Sequence, residues 1–233
     1  MPDLTSAILT AVGGLNAQGT VLGVTADNIA NALTPGYKRG QAVLVSGASQ
    51  IPEVFLRRDV SQGAIAPTGN PNDLAIVGNG FFQVQQSGGI GYTRDGSLGL
   101  SANAVMVDVN GNPVIGPIQI NPAGGPVTVA PDGTVSQTVN GATQVLGQID
   151  LASFPNAGGL APASGNSFTP TGASGQPIAG ADGSQIVQGA IEAPNVDLAT
   201  EFINMITAKA VYEASAKVIT TADNMEKRLL DIA

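Results

Sequence analysis

Two stretches of helical periodicity stand at opposite ends of the chain, with a long middle rich in glycine, proline and asparagine between them. That layout narrows the possible folds more than any single motif. Near the N-terminus Ile8, Leu15, Leu22 and Ile29 recur at intervals of seven, with Ala11 and Ala26 near the same stripe, which is the pattern of an apolar heptad seam. Near the C-terminus Leu198, Phe202, Met205, Tyr212 and Ile219 step by four, three, seven and seven, and Met225, Leu229 and Ile232 resume the stripe after a step of six. Both ends therefore want an apolar partner. A hairpin of the two terminal helices closes both seams within one chain, and packing between chains closes them as well.

The first helix is expected from Leu4 to about Ala32, interrupted by Gly13, Gly14, Gly19 and Gly23. Each glycine costs a helix interior about 1 kcal/mol against alanine, so this helix orders only against a partner. Its small residues, among them Ala7, Ala11, Ala17, Ala26 and Ala30, admit close approach by more than one neighbour, which favours packing between copies. Thr34-Pro35-Gly36 ends the helix, because the residue before proline avoids the α region and glycine supplies the escape conformation. Val43 with Val45, and Val54 with Leu56, alternate around Pro52 as extended segments. Leu74 to Val84 reads as a strand pair bent at Gly78-Asn79-Gly80. Asp95-Gly96, Asn110-Gly111, Asp132-Gly133 and Asn140-Gly141 punctuate alternating runs with dipeptides suited to positive φ in tight hairpins. Asp197 is placed as an N-cap, with Glu201 in the first turn, where an acid suits the helix dipole. The expected organisation is an N-terminal helix over 1–36, an extended arm over 37–69, an antiparallel β domain over 70–155, an irregular or β return segment over 156–195 and a C-terminal helix over 196–233. The fold class is α+β, mainly β, with the terminal helices pairing as a coiled-coil-like core domain.

Composition removes most chemistry. The 233 residues suffice for a real core, but the net charge is −8 and no run of Lys or Arg is present, which argues against tracking phosphates on a nucleic acid. No cysteine is present, which leaves no disulfide, iron–sulfur cluster or thiolate zinc site. No histidine is present either, so the commonest general base and metal ligand is missing. Gly78-Asn79-Gly80 lacks the Lys-Ser/Thr and helix of a phosphate loop. Asp95, Asp108, Asp132 and Asp150 fall at spacings unlike a calcium loop. Serines such as Ser6, Ser46 and Ser87 would have to recruit one of the few lysines, such as Lys38, Lys209 or Lys217, as a base. No catalytic residue, cofactor or metal ligand is expected. The first thirty residues show no basic region leading into a compact apolar one, and no continuous apolar run of membrane-spanning length follows, so neither membrane insertion nor a Sec-type signal is expected. Lys38 and Arg39 beside Tyr37 read either as a contact point for an acidic partner or as a solvated helix exit.

Several stretches resemble the axial proteins of the bacterial flagellum, the rod and hook family. Ala26-Asp27-Asn28-Ile29-Ala30-Asn31-Ala32 with Thr34-Pro35-Gly36-Tyr37-Lys38-Arg39 is similar to that family's signature at the end of its first helix. Asp73-Leu74-Ala75-Ile76, Gly78-Asn79-Gly80-Phe81-Phe82-Gln83-Val84 and Gly91-Tyr92-Thr93-Arg94-Asp95-Gly96-Ser97 resemble its first β domain. Asn195-Val196-Asp197-Leu198, Phe202 to Ile206, Tyr212-Glu213 and Lys217-Val218-Ile219 resemble its terminal helix. The resemblance implies a homo-oligomeric tube in the basal body, crossing the periplasm and transmitting torque. Its terminal helices would form an inner coiled-coil layer in contact with other rod and hook proteins. It also implies export as an unfolded chain through the flagellar type III apparatus. Candidate interface residues are then Ile8, Leu15, Leu22, Ile29, Asn28, Asn31, Tyr37, Lys38, Phe202, Met205, Tyr212 and Ile219. The stretch between Phe82 and Asn195 is short for a hook protein's further β domain and suits a rod subunit. Between Arg39 and Asp73 the chain is shorter than the distal-rod pattern, so proximal and distal types stay open. The alternatives are a hook-like axial protein, a secreted β-domain adhesin or cap on a helical stalk, and a wall-directed glycan hydrolase. For the last, the spacing of Asp73, Asp95, Asp108 and Asp132 singles out no carboxylate pair.

Overall fold

The computed structural model describes residues 4–47, 51–116, 118–180 and 183–232. The chain divides into two compact units, a helical one from 1–32, 39–59 and 196–233 and a β unit from 33–38 and 60–195. It therefore crosses from one unit to the other four times.

The helical unit holds α1 (Leu4–Ala30), a hairpin of β1 (Gly40–Ser46) and β2 (Pro52–Arg58), and α2 (Leu198–Ile232). The two helices pack along one another and the hairpin lies on α1. Asp197 caps α2 as expected, its Oδ1 accepting from the Thr200 N–H at 3.0 Å. Two of the four α1 glycines sit at close contacts. A Cβ on Gly13 would come within 2.4 Å of Ile51, and one on Gly14 within 3.2 Å of Ser215 Oγ, whereas Gly19 and Gly23 face open space. By length and hydropathy α1 would suffice to cross a membrane, but its buried positions include the polar Thr25 and Asn28, and it lies against protein. The side chains of the stripe positions Leu229 and Ile232 lie outside the described residues.

The β unit contains β3 (Ile65–Pro67), β4 (Leu74–Val77), β5 (Phe81–Gln86), β6 (Gly89–Thr93), β7 (Gly99–Leu100), β8 (Met106–Val107), β9 (Val127–Val129), β10 (Thr134–Val139), β11 (Ala142–Gln148), β12 (Leu151–Ser153), β13 (Ala161–Ala163), β14 (Ser167–Thr169), β15 (Ile178–Ala179), β16 (Gln185–Gln188) and β17 (Ala190–Glu192). The largest sheet is antiparallel, in the order β13-β14-β6-β5-β12-β15. Beside it stand a three-stranded β11-β10-β9 sheet and the pairs β16-β4, β17-β3 and β7-β8. One apolar core gathers Leu74, Ile76, Phe82, Val84, Met106, Val135 and Ile149, among others. A second joins Phe81, Tyr92 and Phe168, with Phe154 edge-on to Phe81 and Tyr92 at 5.8 and 4.8 Å, the geometry that aromatic quadrupoles favour.

The turn expectations divide by dipeptide. Asn140 and Gly141 have φ of 53° and 80° and close the β10–β11 hairpin in register, as Asn-Gly predicts. Gly78-Asn79-Gly80 does bend the chain, but β4 pairs with β16 and β5 with β6 and β12, so the flanking strands are not partners. The 156–195 stretch supplies β13, β14 and β15 to the large sheet, and β16 and β17 as partners of earlier strands. Its few large apolar residues hid those strands from a periodicity reading. Gly96 lacks positive φ and is needed for space instead: a Cβ there would lie 1.6 Å from the Leu74 carbonyl oxygen, which itself belongs to a segment paired with Gly96.

Gly96→Ala is expected to lower stability by about 2–3 kcal/mol, the cost of forcing a methyl into packed backbone. Gly172→Ala, where nothing lies within 4 Å, should be neutral or slightly stabilising. Urea unfolding of the two variants compares them directly, and equal midpoints would contradict the close contact.

Candidate assembly surface

Within the helical unit the buried apolar positions of the two helices are small side chains. Ala11 and Ala17 of α1 and Ala208 and Ala222 of α2 are buried, and Gly14 faces Ser215. The heptad positions Ile8, Leu15, Leu22 and Ile29 are half-buried, as are Met205 and Ile219. Large apolar groups of α2 stay outside: Phe202 is 50% exposed, Ile203 64% and Ile206 69%, and Tyr212, Val218 and Met225 are exposed too. Exposed large apolar groups gathered on one helix make it a candidate interaction surface. On the hairpin, Phe55 and Leu56 are exposed as well.

Asn28 is buried and acts as a piece of backbone. Its Nδ2 donates to the Gly40 carbonyl at 2.9 Å, and its Oδ1 accepts from the Gly40 N–H at 2.8 Å, so a helix side chain completes the start of β1. Asn31 donates from Nδ2 to the Asp27 carbonyl at 2.9 Å, tying off the helix end. Next to Asn28 a groove of about 410 Å³ is lined by α1, β1 and the first turns of α2, including Arg39, Glu201, Asn204 and Thr207. Arg39 Nε donates to Asp59 Oδ2 at 3.0 Å, and its Nη1 stands 3.9 Å from Glu201 Oε1.

Tyr37 and Lys38 are not where a surface contact would need them. Both are buried in the β unit, Lys38 to 1% exposure. Lys38 Nζ donates to Glu192 Oε1 at 2.5 Å and to the Ser61 carbonyl at 2.6 Å. Glu192, fully buried, also accepts from the Gly63 N–H at 2.7 Å and from Arg94 Nη1 at 3.2 Å. Arg94 donates to the Gly78 carbonyl at 2.6 Å and lies 4.9 Å over the Phe81 ring. Burial lowers the Arg94 guanidinium's pKa, and the charge and hydrogen bond of Glu192 raise it. Gly36 donates to the Glu192 carbonyl at 2.7 Å, and Asn195 to that of Tyr37 at 3.4 Å. The segments 36–38, 61–63 and 192–195 thus meet around one carboxylate. Sequence reasoning passed over Glu192. The available signal was an acid set between Ile191 and Ala193-Pro194 in a chain where only 11% of residues are charged. Among the described residues no group of three or more metal-ligating side chains comes together.

Comparison with known proteins agrees along most of the chain. Residues 8–38 match the family described as Flagella basal body rod protein, residues 75–137 the Flagellar hook protein FlgE/F/G D1 domain, and residues 187–232 the Flagellar basal body rod FlgEFG protein C-terminal family. The flagellar basal-body rod protein FlgG of Buchnera aphidicola subsp. Schizaphis graminum is 37% identical over 93% of this chain and 95% of its own length. FlgG of Agrobacterium fabrum is 35% identical, covering 94% and 96%. The flagellar basal-body rod protein FlgF of Caulobacter vibrioides is also 35% identical, covering 94% and 95%.

Glu192→Leu leaves two buried cations without their carboxylate and is expected to cost about 3–5 kcal/mol. Lys38→Met should cost less, because Arg94 still neutralises Glu192. Urea midpoints in the order wild type, Lys38→Met, Glu192→Leu check this, and a Glu192→Leu chain as stable as wild type contradicts it.

Proposed function

The chain belongs to the flagellar basal-body rod protein family, and we infer that it works as a structural rod subunit that self-assembles through its terminal helices into a tubular, torque-transmitting shaft. The unburied apolar face of α2 carries the reading. A helix pair whose seam is built from alanine and glycine, with Phe202, Ile203 and Ile206 in water, has its large side chains reserved for other copies. Ile8, Leu15, Leu22, Ile29, Met205, Tyr212 and Ile219 extend that surface, and Asn28 and Asn31 shape the end of α1 that borders it. Tyr37 and Lys38 serve the same purpose from inside, by holding the β unit closed where the chain leaves it. Its other partners are the rod and hook proteins above and below it in the basal body.

Export as an unfolded chain through the flagellar apparatus fits α1. Gly19 and Gly23 weaken it with no packing contact in return, so it orders against neighbours rather than alone.

Ile206→Asp or Ile203→Asp is expected to raise the critical concentration for assembly roughly ten- to a hundredfold, since burial of each isoleucine contributes about 1.5–3 kcal/mol. The fold of the single chain should be unchanged, because both side chains are exposed in it. Sedimentation and negative-stain microscopy measure assembly, and amide NMR monitors the β unit. Tubes formed by the variants at the wild-type concentration would remove this face from the interface.

A further inference from the structure

The sequence holds three Asn-Gly pairs, Asn79-Gly80, Asn110-Gly111 and Asn140-Gly141. Such a pair can react with itself, because the amide nitrogen of a residue without a side chain reaches the asparagine Cγ without steric hindrance. The fold treats the three nitrogens differently. The Gly80 N–H donates to Ser184 Oγ at 3.1 Å, and Gly80 is buried. The Gly111 N–H donates to the Asp108 carbonyl at 3.0 Å. Asn110 is itself held twice, its N–H donating to Asp108 Oδ1 at 2.9 Å and its Nδ2 to the Gly165 carbonyl at 3.3 Å. Asn140 and Gly141 are both exposed, and the Gly141 N–H meets no acceptor among the described residues. A Cβ built on Gly141 would find nothing within 4 Å.

Asn140 and Gly141 close the β10–β11 hairpin with both residues at positive φ. β11 is the edge of its sheet and pairs with β10 alone. Its first four residues are exposed, Val145 to 70%. Opening this end uncovers little apolar surface, which puts it among the parts of a fold that open at low cost. An open turn lets the Gly141 nitrogen swing onto Asn140 Cγ.

We propose that Asn140 is a self-modification site, converting through a cyclic imide to aspartate and isoaspartate while Asn79 and Asn110 persist. The Gly141 nitrogen gives up its proton and bonds to Asn140 Cγ. The bond from Cγ to the side-chain nitrogen breaks, and ammonia leaves with that proton. Water then opens the ring: attack at Cγ leaves aspartate in the normal chain, and attack at the Asn140 carbonyl carbon leaves a backbone that runs through the side chain as isoaspartate. Neither step draws on an oxidant or a second protein. Either product adds a negative charge to a chain already at −8. Isoaspartate also puts one more carbon into the backbone of a two-residue turn. Loop length sets hairpin register, so the pairs Val139 with Ala142 and Thr138 with Thr143 lose their alignment.

Incubating the full chain at mildly alkaline pH tests this, with each asparagine followed by peptide mapping and mass spectrometry and isoaspartate counted by isoaspartyl methyltransferase labelling. Asn140 should convert roughly tenfold faster than Asn79 and Asn110, since each of those glycine amides must first leave a hydrogen bond of ordinary net strength. In urea the three rates should converge. Ser184→Ala removes the acceptor of the Gly80 N–H and should bring Asn79 toward the rate of Asn140, leaving Asn140 unchanged. Amide hydrogen exchange of the aged chain should show protection lost in β10 and β11. Folded chains in which the three asparagines convert at equal rates, in which Asn79 or Asn110 leads, or in which Asn140 stays intact while the urea-unfolded chain reacts would overturn the assignment. An Asn79 rate unmoved by Ser184→Ala would overturn the hydrogen-bond account of its persistence.

Discussion

One buried carboxylate holds the β unit together at the place where the chain comes and goes. Glu192 binds Lys38, Arg94 and the Gly63 amide at once, and Lys38 and Asn195 both reach the Ser61 carbonyl. An ion pair of this kind contributes little net stability over an apolar packing of the same shape, but breaking it on one side is costly. Its value here is positional. The β unit is entered and left at residues 33, 38, 60 and 195, and three of the four ends are fastened to the same point, so a pull on any one is shared by the others before it reaches the sheets.

The helical unit follows a different economy. Its seam is made by Ala11, Ala17, Ala208 and Ala222 and by Gly14 against Ser215. Side chains that small bring two backbones close, yet they remove little apolar area from water. Several large side chains of α2, Phe202, Ile203 and Ile206 among them, are instead exposed, and the heptad positions of α1 are only half-buried. A lone copy is therefore poorly satisfied, and the free energy that the single chain leaves unclaimed is what an assembly can draw on.

Much of this was legible in the residues. The heptads placed both helices, Asp197 announced the start of α2, and Asn140-Gly141 marked a hairpin that formed with both residues at positive φ. These are local signals, fixed by chain geometry within a few residues. The misreadings concern partners far apart in sequence. Asp95-Gly96 looks like a turn, but the glycine is required by a strand that passes within contact distance from twenty residues away. Lys38 looks like a surface cation because nothing near it in sequence is acidic, while its partner lies 154 residues on. The 156–195 stretch, expected as an irregular or β return segment, gives strands that complete sheets begun before residue 100, and its few large apolar residues left their partners unreadable. Which face of α2 would stay bare was likewise beyond a periodicity argument, because a heptad names a stripe and not its occupant.

That separation of partners also governs the order in which the protein can form. Neither unit is a continuous stretch of chain: α1 waits for α2, and residues 33–38 wait for Glu192. A molecule emerging N-terminus first, from a ribosome or from a narrow channel, cannot close the β unit until residues 192–195 are free, nor the helical unit until α2 follows. Loop-closure entropy of that size slows folding, so a long interval exists in which the early half is available to neighbours before it is available to itself.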